Sequence, residues 1–555
     1  MPKVDLYYAG VHLRKTVNAG TKLSDILSKE GMSVSMPCGG NGKCGKCVIT
    51  FKSGAPATDI ATASLLTGEQ ILSGKRLLCK TVVNEDCEIV IDDKFSGEDK
   101  IAAESVEALP QKRLNAGDIE DFYIAIDLGT TTVAMALVGK EKTKRKYEVI
   151  SSVSGINHQR QYGADVISRI AAAGKDGNAA KLRKLILDDI LYLIEKLIKD
   201  GLNAGGFINS ISGIFIAGNT TMLHLLRGYD VSGLGSYPYK TQHLNMEIIT
   251  VKELFKDENS LSLRRAKIGK YLKPETKVTL LPGISAFVGA DIVSGIYYLD
   301  IISKKGTKTL FLDLGTNGEM AYFDGKKLTV TSTAAGPVFE GGGISCGTAS
   351  IPGAISHVKI LFEPEKTKNY KVEIITIDDE KPIGICGTGV MEAVAELVRT
   401  KNVGTDGLLK EEFFDEGFVL YESPDLDKII VRITRQDIRN VQLAKAAICT
   451  GINKLTKEDI PDVVYVAGGF GTHIDIESIK TLGLFPDDFD DKIEAVGNTS
   501  LKGLIKFIDD IKSTEYENGD AYSKIAEITD NAEELVLAME NDFGEEYINS
   551  LNFRI

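Results

Sequence analysis

Three cysteines on one short loop and a fourth far downstream, Cys38-x5-Cys44-x2-Cys47 and then Cys79 after 31 intervening residues, constrain the first hundred residues more than any other feature of the chain. A loop must curl until three sulfurs converge, and a later segment must return to bring the fourth. That is how one chain reaches both irons of a 2Fe-2S cluster. Gly39, Gly40, Gly42 and Gly45 thread the loop; they permit positive φ and close backbone approach, so amide N–H groups can point at the sulfurs. A zinc site is the competing reading. It favours paired C-x2-C knuckles, of which there is one here, and the nearby His12 has no companion in the sequence. Cys87, Cys346, Cys386 and Cys449 lack ligand spacing and read as small buried hydrophobes. Cys346 and Cys386 lie in glycine-rich stretches and are expected near a nucleotide rather than in a redox role. Eight cysteines in 555 residues are too sparse for a disulfide framework, which points to a reducing compartment.

Around these cysteines the sequence reads as short strands at Val4–Tyr8, Val48–Phe51 and Cys87–Ile91 with a brief helix over Leu23–Lys29. Spacing and pattern together resemble the adrenodoxin-like and plant-type 2Fe-2S ferredoxins. The resemblance implies an α+β ferredoxin-like (β-grasp) domain over residues 1–96 with Cys38, Cys44, Cys47 and Cys79 as metal ligands. Plant-type clusters sit near about −400 mV, the range of a strongly reducing donor. This domain is the basic part of an acidic protein. Residues 1 to 97 carry 12 Lys and Arg against 10 Asp and Glu, leaving 53 against 68 elsewhere in a chain of net charge −13. Such a balance speaks against a nucleic-acid partner. Lys43, Lys46, Lys75, Arg76 and Lys80 flank the ligands and form a candidate docking patch for an acidic protein. The N-terminus lacks a leader pattern and no long apolar run follows, so the expectation is a cytoplasmic protein with no membrane partner. Residues 97–120 are polar and aperiodic, a linker spanning about 25 Å if flexible.

From Asp121 the texture changes to buried-type strands ending in glycine loops: Phe122–Asp127, Ile214–Ala217, Thr309–Asp313 and Val463–Ala467. The stretch Asn178–Lys199 carries leucine and isoleucine at helical spacing. Asp127-Leu-Gly129-Thr130-Thr131-Thr132 is echoed 186 positions later by Asp313-Leu-Gly315-Thr316-Asn317-Gly318, each copy preceded by a strand and followed by another (Val133–Val138; Met320–Phe323). A repeat on that scale is a duplicated half-domain built on a β-hairpin. An aspartate at a strand end followed by glycine and hydroxyls suits a phosphate-bound Mg²⁺, with the carboxylate on the metal or its waters and backbone N–H groups and hydroxyls on phosphate oxygens. The doubled pattern resembles the actin, sugar kinase and Hsp70-like ATPases. It implies an α/β, duplicated RNase H-like domain with halves at 121–300 and 301–555, in which Asp127 and Asp313 serve Mg²⁺, Gly129 to Thr132 and Gly315 to Asn317 the phosphates, and Gly468, Gly469, Phe470 and Gly471 the adenosine of ATP. No Walker-type loop offers a rival nucleotide site.

Ile216-Ala-Gly218-Asn219-Thr220-Thr221-Met222, Asn157-His158-Gln159 with Tyr162-Gly163-Ala164-Asp165, and Gly336-Pro337-Val338-Phe339-Glu340-Gly341, joined to a 2Fe-2S domain, resemble the reductive activators of corrinoid proteins. The resemblance implies an ATP-dependent enzyme that passes one electron from its cluster to the Co(II) state of a corrinoid protein and restores Co(I). A ferredoxin or flavodoxin would supply the electron. Asn219 joins the cofactor-binding residues, and the base that orients the attacking water is Glu340, Asp291 or Glu319. Longer members carry a small middle domain that the 24 residues from Gly97 to Glu120 cannot form, which bears on dimerisation. Two alternatives remain: an ATPase or small-molecule kinase with a structural or regulatory cluster, and a plain electron carrier for a non-corrinoid acceptor. The acidic tail from Asp509 to Ile555 reads as a terminal helix with solvated charge.

Overall fold

In a computed structural model the described residues are 1–8, 11–29, 42, 45, 47–91, 119–142, 144, 146–163, 165–175, 177–203, 210–256, 269–362, 370–424, 429–457, 459–468, 475–512 and 520–554. Period-two burial builds the N-terminal sheet: Val4 and Leu6 alternate inward along Lys3–Tyr8, and Cys87, Ile89 and Ile91 along Cys87–Ile91. Five strands order as Val11–Thr16, Lys3–Tyr8, Cys87–Ile91, Val48–Ser53 and Lys75–Leu77, with Lys3–Tyr8 antiparallel to the first and parallel to Cys87–Ile91. The helix Leu23–Lys29 places Leu23, Ile26 and Leu27 in the same core as the strands. This is the α+β arrangement expected. Two short helices were not anticipated: Ile60–Leu65, capped by Asp59, and Gly68–Leu72, opened by a Thr67–Gln70 capping box.

Contacts divide the chain into two compact units, and the division is not contiguous in sequence. The described residues before 92 group with Ile156–Asp189 and Leu225–Tyr237, so segments expected in the first ATPase half belong to the N-terminal unit. Within that unit Tyr162 lies close enough to Asp25 of the ferredoxin-like helix to feel its charge. The predicted helix is found as Asn178–Asn203, with Leu182, Ile186, Ile190, Leu193, Ile194 and Leu197 buried.

The second unit contains two six-stranded sheets of one design. Each has a hairpin (Ile119–Leu128 with Thr132–Glu141; Thr309–Leu314 with Gly318–Phe323), and the first strand of each hairpin runs parallel to a strand ending in Ala-Gly (Ile211–Gly218; Val463–Ala467). A further parallel strand follows on the far side (Lys277–Leu280; Ile493–Gly497). The hairpins are those the repeat predicted. The first strand starts at Ile119, two residues inside the expected linker, because Ile119 is buried against the partner strand. The halves share a core through the helices Ala290–Leu299 and Thr499–Lys512, which cross where a Cβ on Gly503 would stand 2.1 Å from the Ser294 carbonyl oxygen.

The tail corrects the sequence expectation. Asp509–Ile555 is not one solvated helix. Ala521, Ile525 and Ile528 recur at helical spacing and bury the inner face of Asp520–Asn531. Ala532–Glu534 then joins the second sheet beside Leu328–Thr333, and Phe553 is buried with its N–H on the Thr405 carbonyl at 2.7 Å. Apolar positions i, i+4 and i+7 outweigh the acidic composition. Among the described residues no helix is long and apolar enough to cross a membrane.

Candidate functional site

Two of the four predicted ligands are described, and they are neighbours. The Leu78 N–H donates to the Cys47 carbonyl at 2.7 Å, which ties the short turn carrying Cys79 to the start of the strand after Cys47. The Cys79 thiol is lowered to about 7 by a hydrogen bond with the Cys47 sulfur, with burial opposing and the Lys80 charge and the Gly42 N–H assisting. Gly42 has φ +72, a backbone conformation that favours glycine, and it lies against the Lys80 side chain. Sulfur beside sulfur, with backbone and lysine donors favouring thiolate, fits an iron–sulfur ligand set. Cys38, Cys44, Lys43 and Lys46 lie outside the described residues. Cys87 behaves oppositely: burial, then Asp86 and Asp5, push its thiol up to about 11, in keeping with a packing role. Cys386 and Cys449 are likewise buried, while Cys346 is only half-buried. Arg76 leaves the docking patch. It is buried and donates to the carbonyls of Pro56 (2.9 Å), Ile71 (3.1 Å) and Lys75 (2.8 Å), so it pins the domain from inside.

In the second unit the two hairpin turns open on one cavity of about 200 Å³. Asp127 and Asp313 end equivalent strands, each opposite the alanine of an Ala-Gly pair, Ala217 and Ala467. The glycines that follow are required: a Cβ on Gly218 or on Gly468 would stand 2.6 Å from the carbonyl oxygen of Leu128 or Leu314. Gly468 reaches the cavity, whereas Gly469, Phe470 and Gly471 lie outside the described residues. Gly129, Thr130, Thr131, Thr132, Asn219, Gly315, Thr316 and Asn317 all line it. Asn219 donates from Nδ2 to Thr130 Oγ1 at 2.8 Å, and its Oδ1 accepts the Met222 N–H at 3.0 Å at the start of a helix. Thr131 and Thr316 both donate to Glu340 Oε2, at 2.9 and 2.7 Å.

Carboxylates dominate the electrostatics. Burial pushes Asp313 up to about 8, with Asp291, Asp127 and Glu340 adding to it. Burial, then Asp127, pushes Asp291 to about 7. Glu319 is raised well above its ordinary value by burial, then by Asp291 and Asp313. Asp127 is also raised by burial, but hydrogen bonds from Asn498 Nδ2 (2.7 Å) and Ser500 Oγ (2.8 Å) hold it back. Among the described residues no three His, Cys, Asp or Glu side chains converge on one ion. A magnesium that keeps its waters and bridges phosphates needs only one or two carboxylates, and this arrangement can supply them.

Sequence reasoning brought the two Asp turns, Asn219, Glu340, Asp291 and Glu319 to one place and missed Asn498, Ser500 and Thr388. The missed signal was the rest of the repeat. Ala217-Gly218 and Ala467-Gly468 are equivalent, and the Asn498-Thr-Ser500 stretch at the head of the next helix could have been found by extending the alignment of halves past the hairpins.

Comparisons with known proteins match three stretches of the chain. A model of the 2Fe-2S iron-sulfur cluster binding domain matches residues 8–84, one of the RACo middle region matches 122–304, and one of the C-terminal domain of RACo, the ASKHA domain, matches 307–555. The middle-region match falls on the stretch expected as the first ATPase half. The corrinoid activation enzyme RamQ of Eubacterium limosum is 27% identical over 88% of this chain and 90% of its own. A reductase of the Co(II) methylated amine-specific corrinoid protein from Methanosarcina barkeri is 26% identical over 68% of each chain. The solved structure of a reductive activator for corrinoid, iron-sulfur protein aligns with 100% of this chain and 98% of its own at TM-score 0.65 and 27% identity.

Proposed function

This chain belongs to the reductive activators of corrinoid proteins, and we propose that it restores Co(I) in a corrinoid protein by passing one electron to the Co(II) state, driven by ATP hydrolysis. The observation that carries the proposal is the pairing, in one chain, of the adjacent Cys47 and Cys79 sulfurs with a cavity formed by two equivalent Asp-Leu-Gly-Thr turns. A bound 2Fe-2S cluster would supply one-electron chemistry at strongly reducing potential. Cys38, Cys44, Cys47 and Cys79 would hold it, on a domain linked to the ATPase through residues 97–120, and a ferredoxin or flavodoxin would load it.

In the cavity, Asp127 and Asp313 would hold Mg²⁺ or its waters, and the hydroxyls of Thr130, Thr131 and Thr316 with the turn N–H groups would hold phosphate oxygens. The sequence stretch Gly468 to Gly471 would serve the adenosine, as the family resemblance implies. Of the three candidate bases, Glu340 is preferred, because its Oε2 already accepts from both turns and so stands where a terminal phosphate would be. ATP can drive an uphill transfer only if it binds the corrinoid-engaged and free forms differently. Reduced protein mixed anaerobically with a Co(II) corrinoid protein should give Co(I) absorbance that depends on Mg-ATP. A panel of corrinoid partners with no ATP-dependent Co(I) refutes the proposal, and rapid phosphorylation of an added small molecule would favour the kinase alternative.

A further inference from the structure

Glu340 makes a contact that a cleft waiting for phosphate does not need. Thr131 Oγ1 donates to its Oε2 at 2.9 Å and Thr316 Oγ1 to the same oxygen at 2.7 Å, with the two hydroxyls 3.5 Å apart. Thr131 belongs to the first half, whereas Thr316 and Glu340 belong to the second, so the carboxylate bridges the two turns across the cavity. Its backbone is held in place. Gly336 and Gly341 flank the short turn Pro337–Glu340 with φ +78 and +75, a Cβ on Gly341 would stand 2.2 Å from the Thr348 carbonyl oxygen, and one on Gly387 would stand 1.8 Å from that of Phe339. The loop is packed too tightly to swing as a body, and the side chain alone can leave. Asp127, Asp291, Asp313 and Glu319 line the same cavity, so the bridging carboxylate sits among other carboxyl groups, and two hydroxyl donors on one oxygen satisfy it.

One anionic oxygen that accepts the hydroxyls of both turns does what a phosphate oxygen would do there. We propose that Glu340 is an internal stand-in for the terminal phosphate: it latches the two halves together without nucleotide, and the γ-phosphate of Mg-ATP displaces it by taking over the Thr131 and Thr316 hydroxyls. This deepens the nucleotide reading of the cavity and rests on it. No covalent bond changes in the exchange. The displaced carboxylate is left beside the terminal phosphate, where a base that orients water is needed. A diphosphate has no group to claim the hydroxyls, so the latch stays closed over ADP, and the cleft answers to the terminal phosphate rather than to the adenosine.

Calorimetric titration of the full-length, cluster-loaded protein with a non-hydrolysable Mg-ATP analogue and with Mg-ADP tests this, using wild type, Glu340→Ala and the isosteric Glu340→Gln. The latch predicts that Glu340→Ala binds the triphosphate about 10-fold more tightly than wild type while ADP affinity stays within about twofold. Glu340→Gln falls between, since its amide oxygen still accepts the hydroxyls but carries no charge. In turnover, KM for ATP and kcat both drop, a split that a merely structural residue would not produce. Triphosphate binding no tighter than wild type in both variants, with ADP binding and melting temperature normal, overturns the latch and leaves the ATP site standing. Absence of binding by wild type to either nucleotide overturns the site and the latch together.

Discussion

Asp127 and Asp313 occupy the same place in two copies of one fold and have different surroundings. Both end a buried strand, both face an alanine of an Ala-Gly pair, and both line the cavity. Across the hairpin, however, Asp127 pairs with Ala134 and Asp313 with Glu319. Asn498 and Ser500 donate to Asp127, while Asp313 has Asp291, Asp127 and Glu340 as the charges acting on it. The backbone was duplicated and the electrostatics diverged. Asp127 is a satisfied acceptor that holds the second half's helix to the first half's strand; Asp313 has only burial and other carboxyl groups acting on it, so without a cation beside it the group keeps its proton up to about 8.

The strongest way to break the comparison is to neutralise each carboxylate in turn. Asp127→Asn and Asp313→Asn should both reduce ATP turnover on the order of 100-fold, because each removes charge from the metal and phosphate site. In the metal- and nucleotide-free protein their stabilities should part. Asp127→Asn loses two charge-assisted hydrogen bonds and leaves buried donors behind, about 2 kcal/mol or a few degrees of melting temperature. Asp313→Asn removes a charge that burial and its neighbours disfavour and should melt higher than wild type at pH 8. A shared loss of stability would mean that the two aspartates are equivalent after all.

A pH titration sharpens the same contrast. The folded protein holds the Asp313 proton up to about 8, against 3.8 for an ordinary aspartate, so between those values the folded state binds more protons than the unfolded one. Stability of the apo protein should therefore be fullest below about pH 4 as far as this group is concerned, fall as pH rises, and level off above about 8. Calorimetric melting from pH 5 to 9 should show the Asp313→Asn advantage growing across that window, and saturating Mg-ATP should flatten the wild-type decline. A constant advantage would assign the effect to packing.

The smallest effect compares the glycines. Ala at Gly218 and at Gly468 meets the same 2.6 Å obstruction, but Gly468 also has φ +90, so Gly468→Ala should cost about 1 kcal/mol more in denaturant unfolding.

Much of this was legible beforehand because it is local. Strand alternation, the helical spacing from Leu182 to Leu197, the cysteine loop and the repeated Asp-Leu-Gly-Thr turn all express residue type at short range. The misses were not local. Arg76 reads as a surface charge beside Lys75 and lies inside, because three backbone carbonyls converge on it. The tail reads as solvated because its acids are counted before the three apolar residues that set its buried face.

The sequence alone determined the two chemistries: sulfur ligands spaced for a cluster, and aspartate turns spaced a half-domain apart. Tertiary structure decided what each aspartate is. Asn498 and Ser500 reach Asp127 from 371 and 373 positions away, and Thr131 meets Glu340 across 209. Asn498 and Ser500 stand at the head of the helix Thr499–Lys512, which packs closely on Ala290–Leu299 at Gly503. Spacing along a chain encodes the period of a strand or helix, whereas the charge that a buried carboxylate can carry depends on whichever distant dipoles and ions the packed core brings within a few ångströms.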